Sequence, residues 1–330
     1  MIITRTPFRI SFVGGGSDME TFYSRHQGAV LSTSVDKYMY ISSHKFFFRD
    51  QIRVKYSKTE TVNKLDELKH PILREALKNA GITGGTEISS IADIPSGTGM
   101  GSSSSFTVGL LHNLYAIKRQ YISAEELANR ACEIEIDILK EPIGKQDQYA
   151  AAYGGLNIFY FKKDGSVLVE PLHIKNEIVD KLQENLIMFY IGNQRDASVI
   201  LKEQKQNASK EEKFNILKSM VNLVPELRDS LYNERINDFG KLLHENWILK
   251  QKLASQISNN EIREIYQTGL KNGAEGGKLL GAGGGGFFLF YCEKHKQQKL
   301  KDSLKPLNNF EFKFEQDGSK LIYFADEQFK

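Results

Sequence analysis

Sulfur and tryptophan are scarce in this chain of 330 residues, which holds two cysteines, Cys132 and Cys292, and one tryptophan, Trp247. The two thiols lie far apart with no partner at ligand spacing. That rules against a disulfide framework and a cysteine-built zinc site, and both read as reduced, buried thiols. An excess of either charge is lacking too: 44 basic residues against 41 acidic ones leave a formal +3. Such a balance calls for neither a nucleic-acid nor a membrane partner, so any attraction for an anion has to be local. No long uncharged apolar run occurs, and the first residues carry Arg5 and Arg9 inside a strand-like pattern. Neither a signal peptide nor a membrane span is expected, and the chain is expected in the cytoplasm. Internal repeats and low-complexity linkers are missing as well. What is present, 40% hydrophobic and 26% charged residues, suits a soluble protein with a sizeable core, and the length suggests about two domains.

Glycine is where the chain is rich. The stretch Ile94-Pro95-Ser96-Gly97-Thr98-Gly99-Met100-Gly101-Ser102-Ser103-Ser104-Ser105 stands between a strand-like run and a long apolar-striped segment. Alternating glycines allow positive φ and bring bare N–H groups up to a ligand, and a helix opening at the serines adds unpaired amides and a positive dipole end. This reads as a phosphate cradle. It is spelled neither as the lysine-bearing P-loop nor as the dinucleotide fingerprint, which needs glycine where Ser102 stands. A plain flexible Gly/Ser loop before a capped helix is the bland alternative.

Ahead of the cradle, residues 1–13 suggest paired strands with a turn near Pro7. Gly14-Gly15-Gly16 then permits a close approach of backbone, and Ser17 with Glu20 spells a capping box opening a short helix toward Gly28. Asp18 is equally readable as a helix-dipole charge or a ligand contact. Strands are expected at 30–35, 38–42, 52–56 and 86–92, with a helix from Pro71 to Ala80 closed by Gly81. After the cradle, Phe106, Leu110, Leu111, Leu114 and Ile117 mark a helix with one core face, and Ser123 with Glu126 caps the next. Glu135, on that second helix, reads by itself as a solvated carboxylate. Asp147, among amides and small residues, is either a cap or a carboxylate at a site wall. A third glycine stretch, Lys278 to Gly286, runs straight into the apolar strand 287–291, and glycine so placed argues for a close approach to a ligand or to the first loop. Strands interspersed with clustered helices favour an α+β protein.

Three glycine-rich loops so far apart are most simply explained by convergence on one site. Amide cradle, serines and isolated carboxylates suit phosphoryl transfer, in which a protein mainly positions reactants and neutralises charge. The stretches Pro7 to Asp18, Pro95 to Ser105 and Lys278 to Gly286 resemble the three signature motifs of the GHMP small-molecule kinases. Within that superfamily, R-T-P-F-R-I-S-F-V-G-G-G-S-D and G-K-Q-D-Q-Y-A-A-A-Y-G-G are similar to the D-glycero-D-manno-heptose 7-phosphate kinases. The resemblance implies a two-domain GHMP fold: an N-terminal domain over 1–185 like ribosomal protein S5 domain 2, and a ferredoxin-like C-terminal domain over 186–330. It implies an ATP- and Mg2+-dependent sugar kinase, monomer or homodimer, that phosphorylates the anomeric hydroxyl of heptose 7-phosphate on the way to GDP-heptose. Asp147 would then be the catalytic carboxylate, with Arg9 beside it to hold it ionised. Pro95, Ser96, Gly97, Thr98, Gly99, Met100, Gly101, Ser102, Ser103 and Ser104 would surround the ATP phosphates, with Ser103 and Glu135 on the magnesium ion. Gly14, Gly15, Gly16, Ser17, Asp18, Gly283 and Gly284 would face the sugar. Arg195 and Lys37 are candidates for the substrate phosphate by charge and placement. The family's galactose enzymes carry a Glu-His pair where this chain has Gly15 and Gly16, which argues against galactose. A fucokinase-like enzyme and a non-catalytic nucleotide-binding regulator are the rival readings; the second predicts loss of Asp147, Arg9 or Ser103, and all three are present.

Overall fold

In the computed structural model, which describes residues 1–192 and 197–325, the amino-terminal stretch is a single strand, β1 (Ile2–Val13). No turn forms at Pro7. Instead the pairing of β1 with β2 (Gly28–Lys45) slips there, Pro7 facing Tyr38 and Phe8 facing Val35, so that Asp36 and Lys37 are extra residues on β2. A proline cannot donate to the ladder, and a bulge absorbs the lost bond without ending the strand. The same slip joins the two strands expected at 30–35 and 38–42 into one.

The remaining strands are β3 (Ile52–Lys55), β4 (Thr59–Val62), β5 (Thr86–Ala92), β6 (Leu156–Phe161), β7 (Val167–Pro171), β8 (Leu186–Gly192), β9 (Gly276–Leu279), β10 (Gly286–Tyr291), β11 (Asn308–Phe310), β12 (Phe314–Glu315) and β13 (Lys320–Phe324). A nine-stranded sheet runs β13-β1-β2-β5-β3-β4, and β6 and β12 share with β5 the edge of β2 that β1 leaves open. Among the described residues only β3 and β5 pair in parallel. The second sheet, β11-β8-β10-β9, is antiparallel throughout. The fold is therefore α+β, as the order of elements suggests. The two sheets divide near residue 185, while β12 and β13 carry the chain's last described stretch back into the first sheet.

The Ser102–Ile117 helix lies on β1 and β2, and it is buried nearly all round rather than on one face. Its Gly109 carbonyl accepts from Thr4 Oγ1 at 2.8 Å, and a Cβ on Gly109 would stand 2.7 Å from Thr6 Oγ1. The Pro71–Ala80, Ala124–Cys132 and Gln146–Tyr153 helices cover its other sides. Between the sheets, Phe239 in the Asp238–Lys250 helix packs edge-on against Phe12 at 5.1 Å and against Tyr291 at 5.5 Å. One ring thus joins β1 to β10. Among the described residues no helix is long and apolar enough to cross a membrane, and both cysteines are buried thiols.

Phe239 is fully buried, whereas Tyr232 is 45% exposed. Phe239→Ala is expected to lower the unfolding free energy by about 3–5 kcal/mol, and Tyr232→Ala by less than about 0.5 kcal/mol, in denaturant titrations. A small loss for Phe239→Ala would show that the two sheets are held together elsewhere.

Candidate active site

The chain leaves β5 and turns through Gly97, Gly99 and Gly101, all at positive φ (76°, 84° and 78°), with Gly101 at the N-cap of the Ser102–Ile117 helix. Two of these glycines are required by what they touch. A Cβ on Gly99 would stand 2.5 Å from the Leu280 carbonyl oxygen, and one on Gly101 would press on Asp147 Oδ2 at 3.2 Å. The third glycine stretch therefore lies backbone against backbone on the cradle, with Gly281 facing Gly99 and Gly286 facing Thr98. Convergence, inferred from the sequence, is how these loops meet.

Arg9 projects from β1 into this corner. Its Nε and Nη2 donate to Asp147 Oδ1 and Oδ2 at 2.7 and 2.8 Å, its Nη1 to the Gly99 carbonyl at 2.7 Å, and its own amide to the Met100 carbonyl at 3.2 Å. The paired fork fixes the plane of the carboxylate. Asp147 stands in the first turn of the Gln146–Tyr153 helix, bound to Arg9 and not spent on a cap, and faces a cleft. Gly15, Gly16, Asp18, Lys250, Lys278, Gly281 and Ala282 share the walls. Asp18 is held in place by the Gly16 and Gln146 amides at 3.1 and 3.2 Å, and burial, then the neighbouring Asp147 charge, raise its pKa. Ser17 does not cap a helix. Its hydroxyl bonds the Gly14 carbonyl at 2.8 Å and meets Ala29, and the Glu20–Tyr23 helix starts after Met19. The chain turning at Gly14 claims that hydroxyl before the helix begins.

Glu135 is not a solvated carboxylate. It lies in a π-helical turn, 133–138, fully buried, accepting from Ser103 Oγ and Gln148 Nε2, each at 2.8 Å. Such turns often re-aim side chains at functional sites. Among the described residues no cation pairs with it. A hydroxyl and a carboxylate meeting beside the cradle are the hard oxygen donors a magnesium ion accepts. No cluster of three or more His, Cys, Asp or Glu gathers among the described residues, so an ion held here takes the rest of its shell from water or ligand oxygens.

A second cleft is lined by Met39, Tyr56, His70, Ile94, Ser96 and Phe106 together with Ser102 and Ser103. His70 meets Tyr56 edge-on at 4.8 Å and packs tilted against Phe106 at 5.1 Å, and burial lowers its pKa. These residues are spread from β2 to the helix after the cradle, and no motif marks them. Lys250 and Lys278 are equally unmarked for a role. Other expected residues go elsewhere. Lys37 sits beside Asp36, 3.4 Å away, in a separate groove near Phe310. It is one of the extra residues at the β2 bulge, which turns it from the cleft. Gly283 and Gly284 pack on Ile257, the Gly284 amide donating to its carbonyl at 3.2 Å; Gly281 and Ala282 are the residues of that loop on the cleft wall. Arg195 lies outside the described residues.

The family models for the GHMP kinases match this chain twice, the N-terminal domain over residues 67–155 and the C-terminal domain over 227–307. The chain belongs to the GHMP kinases. Over 332 aligned residues it is 27% identical to the D-glycero-alpha-D-manno-heptose 7-phosphate kinase of Campylobacter jejuni, covering 97% of this chain and 98% of that one. It is 26% identical to the bifunctional fucokinase/GDP-fucose pyrophosphorylase of Arabidopsis thaliana, over 93% of this chain and 31% of that protein. Among solved structures, a D-glycero-D-manno-heptose 1-phosphate kinase from Bacteroides thetaiotaomicron superposes with a TM-score of 0.80 at 21% identity, covering 99% of this chain and all of that one, a likeness of fold. As a GHMP kinase the protein is an ATP-dependent phosphotransferase.

Burial raises the Glu135 carboxyl from 4.5 to about 7, hydrogen bonds from Ser103, Gln148 and Ser104 pulling it down and the Asp147 charge adding to the rise. A folded-state pKa above the unfolded value means that the native state holds the proton more tightly. Stability should thus fall as pH climbs from about 4.5 to about 7, by on the order of 3 kcal/mol. Asp18, also raised, adds in the same sense, while Lys250, lowered to about 7, acts only above that pH and with opposite sign. In nucleotide-free, chelator-treated protein, Glu135→Gln should fall less steeply than wild type over this window in denaturant titrations at stepped pH; parallel slopes would mean that Glu135 does not titrate there.

Proposed function

We propose that the protein transfers the γ-phosphoryl group of ATP to the anomeric hydroxyl of D-glycero-D-manno-heptose 7-phosphate, giving the 1,7-bisphosphate that leads to GDP-heptose. The observation that carries the chemistry is the Arg9-held carboxylate of Asp147 on the cleft side of the phosphate cradle. The choice of acceptor rests on the full-length likeness to the Campylobacter enzyme, and on Gly15 and Gly16 standing where galactose enzymes carry charged and aromatic side chains.

In this reading the amides of 97–103 and the dipole of the Ser102–Ile117 helix bind the triphosphate, and the base lies in the cleft of Tyr56, His70 and Phe106. The sugar occupies the cleft across the cradle, against Asp18, Gly15 and Gly16. Ser103 and Glu135 would hold Mg2+, which would supply positive charge to offset the charge that builds during transfer. The acceptor oxygen bonds to the γ-phosphorus as the bond to ADP breaks, and its proton passes to Asp147. Arg9 keeps that carboxylate in one plane and, through the Gly99 carbonyl, fixes it against the cradle that positions the phosphate.

Two measurements test this. In a coupled assay for ADP release, kcat/KM for heptose 7-phosphate should exceed that for L-fucose and D-galactose by at least about a hundredfold, since a site built for polar groups rejects acceptors lacking them by as much as about 10⁴–10⁵-fold. A preference for fucose would replace the acceptor and keep the mechanism. Asp147→Asn should lower turnover by about 10²–10⁴-fold with ATP affinity retained in calorimetry, and near-normal turnover would remove Asp147 from its role.

A further inference from the structure

With Lys37 in another groove and Arg195 outside the described residues, the cleft wall itself offers the acceptor's phosphate two partners. Lys250, the last residue of the Asp238–Lys250 helix, and Lys278, in β9, both line the cleft and are 7% and 1% exposed. Lys250 Nζ donates to the Leu279 carbonyl at 3.3 Å and to the Gly281 carbonyl. Lys278 Nζ donates to the Ser11 and Phe12 carbonyls at 2.6 and 3.0 Å. An ammonium has three donors, so each lysine retains one N–H beyond these bonds. Neither is paired with a carboxylate among the described residues. Asp147 is committed to Arg9, and Asp18 accepts from the Gly16 and Gln146 amides.

Two buried cations side by side, held only by neutral carbonyls, cost the fold free energy unless an anion joins them. Resting on the reading that the acceptor is a sugar phosphate, we infer that Lys250 and Lys278 form the subsite for the acceptor's phosphate group. Their environment agrees. Burial, with Arg9 adding to it and the Asp18 charge only partly opposing it, lowers Lys250 to about 7, and burial, then Lys250 and Arg9, take Lys278 well below the ordinary lysine value. A phosphate dianion reverses that balance for both. The carbonyls that anchor Lys250 belong to the loop resting on Gly99, so an occupied subsite also bears on the backbone of the cradle.

Phosphate in this cleft has two sources, the acceptor and the γ-phosphoryl group of ATP, and kinetics separate them. In the full chain, the quantity to measure is the ratio of kcat/KM for heptose 7-phosphate to that for unphosphorylated heptose, with the KM for ATP determined alongside. Lys250→Met, which keeps the stem and removes the charge, should reduce that ratio by at least about 30-fold, the low end of the loss caused by removing one member of a buried charge pair. Lys278→Met should do the same, and carries the test if Lys250→Met does not fold. A purely structural lysine would slow both acceptors alike and leave the ratio, which overturns the subsite. So does a raised KM for ATP at constant ratio, which would give the lysines to the nucleotide, and so does a ratio that collapses in Arg195→Ala but not in the lysine variants. A wild-type enzyme with no preference for the phosphorylated acceptor removes the sugar-phosphate reading itself, before any substitution is made.

Discussion

Backbone touches backbone where Thr98 and Gly99 meet Leu280, Gly281 and Gly286, and the site depends on that contact. One partner leads out of the large sheet and the other connects β9 to β10 in the small one. Side chains can yield by changing rotamer, whereas two main chains in contact cannot, so the approach constrains the relation of the two sheets. The absence of Cβ atoms at 99, 281 and 286 is what allows it, together with the positive φ that all three residues adopt. A cradle of amides is useful only if its N–H groups point at a fixed place, and here the fixing is done from behind by a second glycine loop.

Arg9 makes the same junction electrostatic. Two of its donors go to Asp147, one to the Gly99 carbonyl, and its own amide reaches Met100, so one residue of β1 ties the first sheet, the cradle and the Gln146–Tyr153 helix. Lysine could hold the carboxylate as a point charge, but not its plane and the carbonyl together. The guanidinium is nearly buried, which strengthens each bond and makes the arrangement stiff.

Much of this is legible in the sequence because glycine has few other reasons to cluster before a helix or a buried strand. The cradle, the Thr86–Ala92 strand, the Pro71–Ala80 helix with its left-handed Gly81, and the meeting of three loops all follow from local chemistry. Where the structure departs from that reading, something distant prevails. Pro7 marks a bulge because a long partner strand is there to absorb it. Ser17 gives its hydroxyl to Gly14 and Ala29, residues a capping motif does not mention. Glu135 is charged and flanked by isoleucines on a helix, a pattern of surface carboxylates, and only the π-turn and the covering Gln148 take it inside. Lys250 ends a helix, where a cation is unremarkable on dipole grounds, so nothing local shows that its ammonium is enclosed.

Those enclosed charges share a logic. On one flank of the cradle Glu135 is a carboxylate bonded to neutral donors, and on the cleft wall Lys250 and Lys278 are ammonium groups bonded to neutral acceptors. Each is displaced toward its uncharged form by burial, the acid upward and the bases downward. A fold selected for stability alone would exchange such groups for apolar ones of similar size. Kept as they are, they make binding free energy available: a cation arriving at Glu135 and an anion arriving at the lysines each restore a charge that the protein holds at a cost. On the proposed reading, the enclosed carboxylate and the enclosed ammonium groups would sort a magnesium nucleotide and a phosphorylated acceptor to separate places before any contact with a base or a sugar ring is made.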